Sequence, residues 1–191
     1  LPPVFYGKSL SLPSKVKDMI DIIPSNTELF SIFLPTWNNL EYLKLCLESI
    51  RKNSTYRHQI LIFINDGSDG TLQWVQDQGY EYIHSPENVG ICWALNALRT
   101  KVTTDYILYL NDDMYVCPEW DKVLWDEIQQ LPDNKFFLSS TLIQPRPFFC
   151  KSVIAPANFG EDLLSFREEE LLARYRDIPH PDWSGATWPP N

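Results

Sequence analysis

An apolar run, Leu108-Tyr109-Leu110, ends on Asn111-Asp112-Asp113 and turns apolar again at Met114-Tyr115-Val116. Two adjacent carboxylates at the mouth of a buried strand suit a hard divalent cation. Mg2+ and Mn2+ favour oxygen ligands, and Mg2+ in particular takes one or two carboxylates and completes its shell with water and substrate phosphates. Asp113, with Asn111 or Asp112 beside it, offers such a partial shell; an Asx-type turn explains the same residues without a metal. A second polar run, Asn65-Asp66-Gly67-Ser68-Asp69-Gly70-Thr71, closes another apolar segment. Asp66 is placed there to accept hydrogen bonds from a base or ribose, and the two glycines permit a tight turn. A plain strand-to-helix turn capped by Asp69 or Thr71 is the alternative. In SPENVGICWALNALR, Asn88 and Gly90 stand at a helix start, where the helix dipole favours phosphate and small residues admit close approach. Capping and tight packing account for them as well.

The elements that must position these residues follow from apolar periodicity. Residues 29–34 form a continuous apolar run of strand length. A helix then carries Leu40, Leu43, Leu47 and Ile50 on one face, with Asn38 or Asn39 as its N-cap. Strands are predicted at 59–65, 80–84, 105–110 and 135–140, with a short helix ending at Gly79. Further helices carry Ile91, Leu95, Leu98 and Val102, and, after Pro118, Trp120, Val123, Leu124 and Ile128 inward. Strand–helix alternation of this kind predicts a three-layer α/β/α sandwich on a mostly parallel, Rossmann-like sheet. In such sheets ligands bind beyond the carboxyl ends of the strands, where all three polar runs fall.

The chain has 191 residues, 44% of them hydrophobic, and a formal net charge of −9. That length suits one domain. The charge argues against nucleic acid or an anionic membrane as the main partner, and a phosphorylated ligand needs a cation between itself and the protein. No apolar run reaches the roughly 20 residues of a membrane span. The opening LPPVFYGKSL has neither an initiator Met nor a basic leader region, as in an excerpt or a processed chain. Cys46, Cys92, Cys117 and Cys150 lie far apart, and Cys46 and Cys92 fall in helical patterns, so buried free thiols in a reducing cytoplasm are expected. Nothing resembles a His-based zinc site. A charged, solvated helix is expected at 168–176.

Taken in order, FSIFLPTWNN, NDGSDGT, ENVGICWALN and LYLNDDM resemble glycosyltransferase family 2, of the nucleotide-diphospho-sugar transferase (GT-A type) fold, over residues 29–141. The resemblance implies a metal-dependent enzyme that moves a sugar from a nucleotide-diphosphate donor such as a UDP-sugar to an acceptor hydroxyl, with inversion, in polysaccharide or glycoconjugate synthesis. It places Pro35, Thr36 and Asn38 near the nucleoside and makes Asp66 the base-binding carboxylate. Asn88 and Gly90 then lie near the donor. Asp113 becomes the principal ligand of Mn2+ or Mg2+, Asp112 sits beside the ribose or the metal, and Asn111 takes the first position of the family's D-x-D motif. The acceptor is expected to be a saccharide or lipid-linked molecule, and the location the cytoplasm, including the inner face of a membrane.

The chain departs from the family pattern in two places. The second polar run is one residue shorter than the usual D-D-G-S-x-D-G-T. The family's general base is an aspartate downstream of the D-x-D; the candidates here are Asp162, Glu161 and Asp182, or a residue beyond Asn191. The domain reading is therefore an N-terminal arm at 1–28, a nucleotide-sugar-binding α/β domain at 29–141, and a truncated start of an acceptor-side region at 142–191. The rival readings are a non-catalytic nucleotide-sugar-binding fragment and a nucleotidyltransferase of related fold. The latter prefers a glycine-rich basic loop after the first strand, and PTWNN has neither glycine nor Lys or Arg.

Overall fold

The computed structural model of the protein describes residues 4–6, 27–133, 135–145 and 154–178. A short strand, β1 (Val4–Tyr6), comes first. The apolar run becomes β2 (Phe30–Trp37), buried along most of its length. Helix α1 (Leu40–Asn53) follows and turns Leu43, Cys46, Leu47, Ser49 and Ile50 inward. Strand β3 (Gln59–Asn65), helix α2 (Thr71–Gln78), strand β4 (Glu81–Ser85), helix α3 (Ile91–Leu98) and strand β5 (Tyr106–Tyr109) then alternate. Helix α2 stops where predicted: Gly79 takes a left-handed conformation and its N–H returns to Gln76 O and Val75 O. Helix α4 (Trp120–Ile128) completes this half.

The four strands pair in the order β4-β3-β2-β5, every neighbour parallel. Side-chain alternation divides the core in two. Ile32, Leu34, Ile62 and Ile64 pack with Leu43 and Leu47 of α1, Val75 of α2 and Trp120 of α4. Phe33, Leu61 and Phe63 pack with Ala94 and Leu98 of α3 on the opposite face. The architecture is the expected mostly parallel sheet with helices on both faces. The chain lays down β2, β3 and β4 in one direction and returns to the other side of β2 for β5. That reversal opens a crevice between the carboxyl ends of β2 and β5.

A second sheet has the order β6-β1-β7-β8, with β6 (Tyr115–Val116), β7 (Thr141–Gln144) and β8 (Ile154–Pro156). Strand β1, from the expected arm, runs parallel to β6 and antiparallel to β7. Helix α5 (Glu168–Arg174) packs in this half, where Leu171, Tyr175 and Ile178 join Tyr115, Cys117, Ile143 and Phe159 in a separate core cluster.

Four local expectations are corrected. Residues 135–140 are not a strand: Phe136 stacks on Tyr106 while Phe137 is 98% exposed, and pairing begins only at Thr141, against β1. The 168–176 segment is not solvated all round, because Leu171 and Tyr175 are buried. Ile91 is exposed rather than inward, and so is Cys92. Both follow from where α3 starts: the N–H of Val89 already meets Asn65, the last residue of β3, so the first helical turn stands at the rim of the sheet. Cys46 and Cys117 are the buried free thiols among the described residues, and burial pushes the Cys117 thiol up to about 12. No helix among the described residues is long and apolar enough to cross a membrane.

At the amino-terminal edge of the sheet, Asp121 is fully buried with His58. Its oxygens accept the N–H groups of Thr55, Tyr56 and Lys122 and lie 3.1 Å from His58 Nε2. The imidazole stacks on Phe30 and packs against Trp120. Burial pushes the Asp121 carboxyl up, but His58 and the Thr55 and Tyr56 amides outweigh it and hold the carboxyl below its ordinary value.

Candidate active site

At the carboxyl edge, β2 and β3 both end in non-glycine residues with left-handed backbone: Asn38 at φ 48° and Asp66 at φ 62°. Such conformations persist only where neighbours enforce them, and they concentrate at functional sites. Here the two residues hold each other. Asn38 Nδ2 donates to Asp66 Oδ2 at 2.9 Å, and Asn38 Oδ1 accepts the Gly67 N–H at 2.9 Å. The hydrogen bond from Asn38, then those from Ser68, holds the exposed Asp66 carboxyl below its ordinary range, so it stands at the rim as an ionised acceptor. Gly67 cannot be larger: at φ 82° a Cβ would come within 2.8 Å of Ile64 Cγ2.

Asp69 serves the scaffold. Its Oδ2 accepts the Leu40 N–H at 3.0 Å, at the start of α1, while Oδ1 accepts Thr71 N–H at 3.0 Å, at the start of α2. One carboxylate thus caps two helices, and Asn39 at the N-cap position makes no side-chain cap bond. Asn65 stitches the rim together, donating to Thr36 O at 3.4 Å and accepting the Val89 N–H at 2.9 Å. Asn88 accepts the Gly90 N–H at 2.9 Å in the adjoining turn. Pro35, by register, lies opposite Phe63 one step below this rim.

Across the crevice, the segment leaving β5 carries the acidic motif. Burial raises the carboxyl of Asp112, which lies against Thr36 and Asn39, and the charge of Asp113 adds to the rise. Burial likewise raises Asp113. Asp113 Oδ1 is buried and reaches no hydrogen-bond partner among the described residues. The Asn111 carboxamide oxygen accepts from the Tyr109 hydroxyl. A buried carboxylate oxygen without a donor, beside a second half-buried carboxylate, is the electrostatic complement of a cation. Among the described residues no three His, Cys, Asp or Glu are grouped to enclose a metal. Two carboxylates therefore fit Mg2+ or Mn2+, which fill the rest of their shell from a ligand's phosphates, better than an ion needing a full protein cage.

Three residues missed in the sequence place this motif. Cys46 Sγ lies 3.7 Å from Asn111 O, Ser49 Oγ accepts the Val116 N–H at 3.1 Å, and Asn53 Nδ2 donates to Val116 O at 2.7 Å. All three come from α1. Their signal was present as polar positions falling on the apolar face of that helix, where each reads as a flaw in the pattern. Trp37, the last residue of β2 and 58% exposed, is also new to the site.

The described bonds of two base candidates lie within their own turn. Asp162 accepts the N–H and hydroxyl of Ser165, both at 2.8 Å, and Glu161 donates its N–H to the same hydroxyl. Asp182 lies outside the described residues. The first turn of α5 adds three acids. Glu168 accepts from Tyr115 OH, and Glu170 pairs with Arg167 and Arg174. Glu169 is exposed and makes no ion pair among the described residues.

The model described as "Glycosyl transferase family 2" matches residues 31–187. WcaA of Escherichia coli (strain K12) is 27% identical over 127 residues, 62% of this chain and 44% of that protein. Glycosyltransferase GlyG of Streptococcus pneumoniae serotype 4 (strain ATCC BAA-334 / TIGR4) is 26% identical over 110 residues, 54% of this chain and 36% of that one. The chain thus spans less than half the length of either relative. The crystal structure of S. aureus TarS aligns with 53% of this chain and 20% of that chain at 17% identity, with a TM-score of 0.45, a likeness too slight to carry an argument.

Proposed function

The chain belongs to glycosyl transferase family 2, and on that premise we propose that the β2–β5 crevice holds a nucleoside-diphosphate sugar whose sugar passes to an acceptor hydroxyl. The observation that carries this is the unpartnered, buried Asp113 Oδ1 beside Asp112 at the reversal of strand order. In a protein of net charge −9, a cation on this acidic pair offsets the repulsion that a diphosphate would meet. Asp113, with Asp112, would hold Mg2+ or Mn2+, which when bound neutralises charge on the departing diphosphate.

The rest of the work falls to the chain itself. Asp66, ionised and oriented by Asn38, accepts hydrogen bonds from the base or ribose. The exposed ring of Trp37 offers a stacking face for the base. Asn65, through Thr36 and Val89, fixes the spacing of the rim on which Asn88 and Gly90 approach the donor. On the acceptor side a carboxylate takes the hydroxyl proton as the oxygen attacks the anomeric carbon opposite the leaving diphosphate, which inverts that carbon. With Asp162 committed to Ser165, Glu169 is the open carboxylate of the described residues in the α5 turn. WcaA is named for colanic acid biosynthesis, which supports a polysaccharide or glycoconjugate as product.

Calorimetric titration with uridine and guanosine diphosphates, with and without Mn2+, tests the reading; equal affinity in EDTA refutes it. Two substitutions refine it. Asp66→Ala weakens nucleotide binding roughly tenfold whether or not metal is present, because hydrogen bonds to a charged acceptor are lost. Trp37→Ala costs about 1–3 kcal/mol of the same binding if a base stacks there. Unchanged affinity in both would reduce this rim to a turn. Glu169→Gln leaves donor binding intact and lowers transfer by about 10²-fold or more, against no change for Asp162→Asn. The reverse ranking, read from sugar release to a panel of acceptors, assigns the base to Asp162.

A further inference from the structure

The donor edge and the acceptor side are joined by one side chain. Tyr115 follows Asp113 by two residues on the strand that leaves the acidic motif, and its ring is 1% exposed, packed on Phe166. Its hydroxyl donates to Glu168 Oε1 at 2.7 Å and accepts from Asn53 Nδ2 at 3.2 Å. Lys52 Nζ lies 3.7 Å from the same Glu168 oxygen. The next residue, Val116, is held at both its N–H and its carbonyl by Ser49 and Asn53 of α1. Between the acidic pair and the phenol, Met114 returns its N–H to Asn111 O at 3.2 Å, so the short link is held on one side by this turn and on the other by the α1 bonds to Val116. The phenol in turn is bonded to the first turn of α5, where the unpaired Glu169 sits.

We propose that Tyr115 is a positioning residue: through its bond to Glu168 it sets the acidic first turn of α5 against the donor site, so that occupation of the Asp112–Asp113 pair orders the acceptor side. The proposal rests on reading that pair as the donor site. A bond of this kind costs little in the free protein and matters when the donor arrives. Neutralising the two acids relieves their mutual repulsion and stills the motif, and the phenol carries that stillness to α5.

Hydrogen exchange over residues 168–177 tests it, measured with and without uridine diphosphate and Mn2+. In the wild-type chain loading slows exchange by about fivefold or more, the lower end of ordinary coupling between sites. Tyr115→Phe keeps the ring and its packing, binds the nucleotide with unchanged affinity, and loses the slowing. Glu168→Gln, whose amide oxygen still accepts from the phenol, retains it. A merely structural contact would loosen α5 equally in free and loaded protein and leave the slowing in place. Should Tyr115→Phe not fold, Glu168→Ala removes the same bond from a half-exposed side chain. Slowing that survives in Tyr115→Phe or Glu168→Ala, or that is absent from the wild type, overturns the proposal. A wild-type chain that binds no nucleotide with Mn2+ fails at the prior calorimetric step. It takes the donor reading down with the proposal.

Discussion

Replacing Asp113 by alanine removes metal-dependent binding of nucleoside diphosphates, at a loss of about 2–4 kcal/mol, the range for truncating one partner of a buried charged contact. The variant deletes the carboxylate oxygen that has no donor among the described residues and leaves the diphosphate facing Asp112 alone. Calorimetry reads the result: in the variant, affinities with Mn2+ and with EDTA converge, and persistence of the metal-dependent difference sinks the assignment. The same residue makes a second, opposite forecast. Its carboxyl is raised by burial in the folded state, so ionisation weakens the fold at any pH above the unfolded value, neutral pH included. Metal-free Asp113→Asn should therefore melt above the wild type, by about 2–4 °C for each kcal/mol relieved. A melting point that falls instead would mean that the carboxylate has a structural partner.

Asp121 should behave in the opposite way. Removing it strands Thr55, Tyr56 and Lys122 amides and the buried His58 together, so Asp121→Ala costs about 3–5 kcal/mol of stability. Its folded pKa is depressed. The contribution is complete above the unfolded carboxyl value, about 3.9, and is lost as pH falls through the lower folded one. Denaturant melts of wild type and variant should differ most at neutral pH and converge toward strongly acidic pH. A gap that stays constant over that range would assign the effect to a disturbed packing of His58 on Phe30 and Trp120 rather than to charge.

The parallel half of the molecule was legible because its signals are local. Each strand from β2 to β5 is a compact apolar run, each helix repeats with a helical period, and the polar breaks fall at one edge by topology alone. The acidic motif and Asp66 were legible for the same reason: chemistry that stands at strand ends announces itself. What was hidden depends on distant partners. Residues 135–140 have strand composition, yet Phe136 finds Tyr106 and the pairing goes to Thr141–Gln144, whose partner β1 lies more than a hundred residues earlier. No window of sequence contains that choice. Asp69 is legible as a cap of the helix that follows it, but its second cap is not, because that depends on α1 reaching it from across a strand. Asp121 sits on the inward face of an amphipathic helix, where a charge suggests a boundary rather than a buried acceptor. Ser49 and Asn53 were overlooked for the same cause: periodicity reports which face is buried, not what it is buried against.

The bonds that tie α1 and the turn after it to the stretch from Asn111 to Asp121 have one further property. Cys46 to Asn111, Ser49 to Val116, Asn53 to Val116 and Thr55 to Asp121 span 65, 67, 63 and 66 residues of chain. They are rungs of a single long loop, closed at one place. The entropy of closing a loop depends on its length and is incurred once, so after the first rung forms the others add no further closure cost. The acidic pair and the buried Asp121 then belong to one cooperative event on the folding path. A chain that has not yet made that closure, such as a nascent one still short of Asn111, has strands β2 to β5 but no place for a diphosphate.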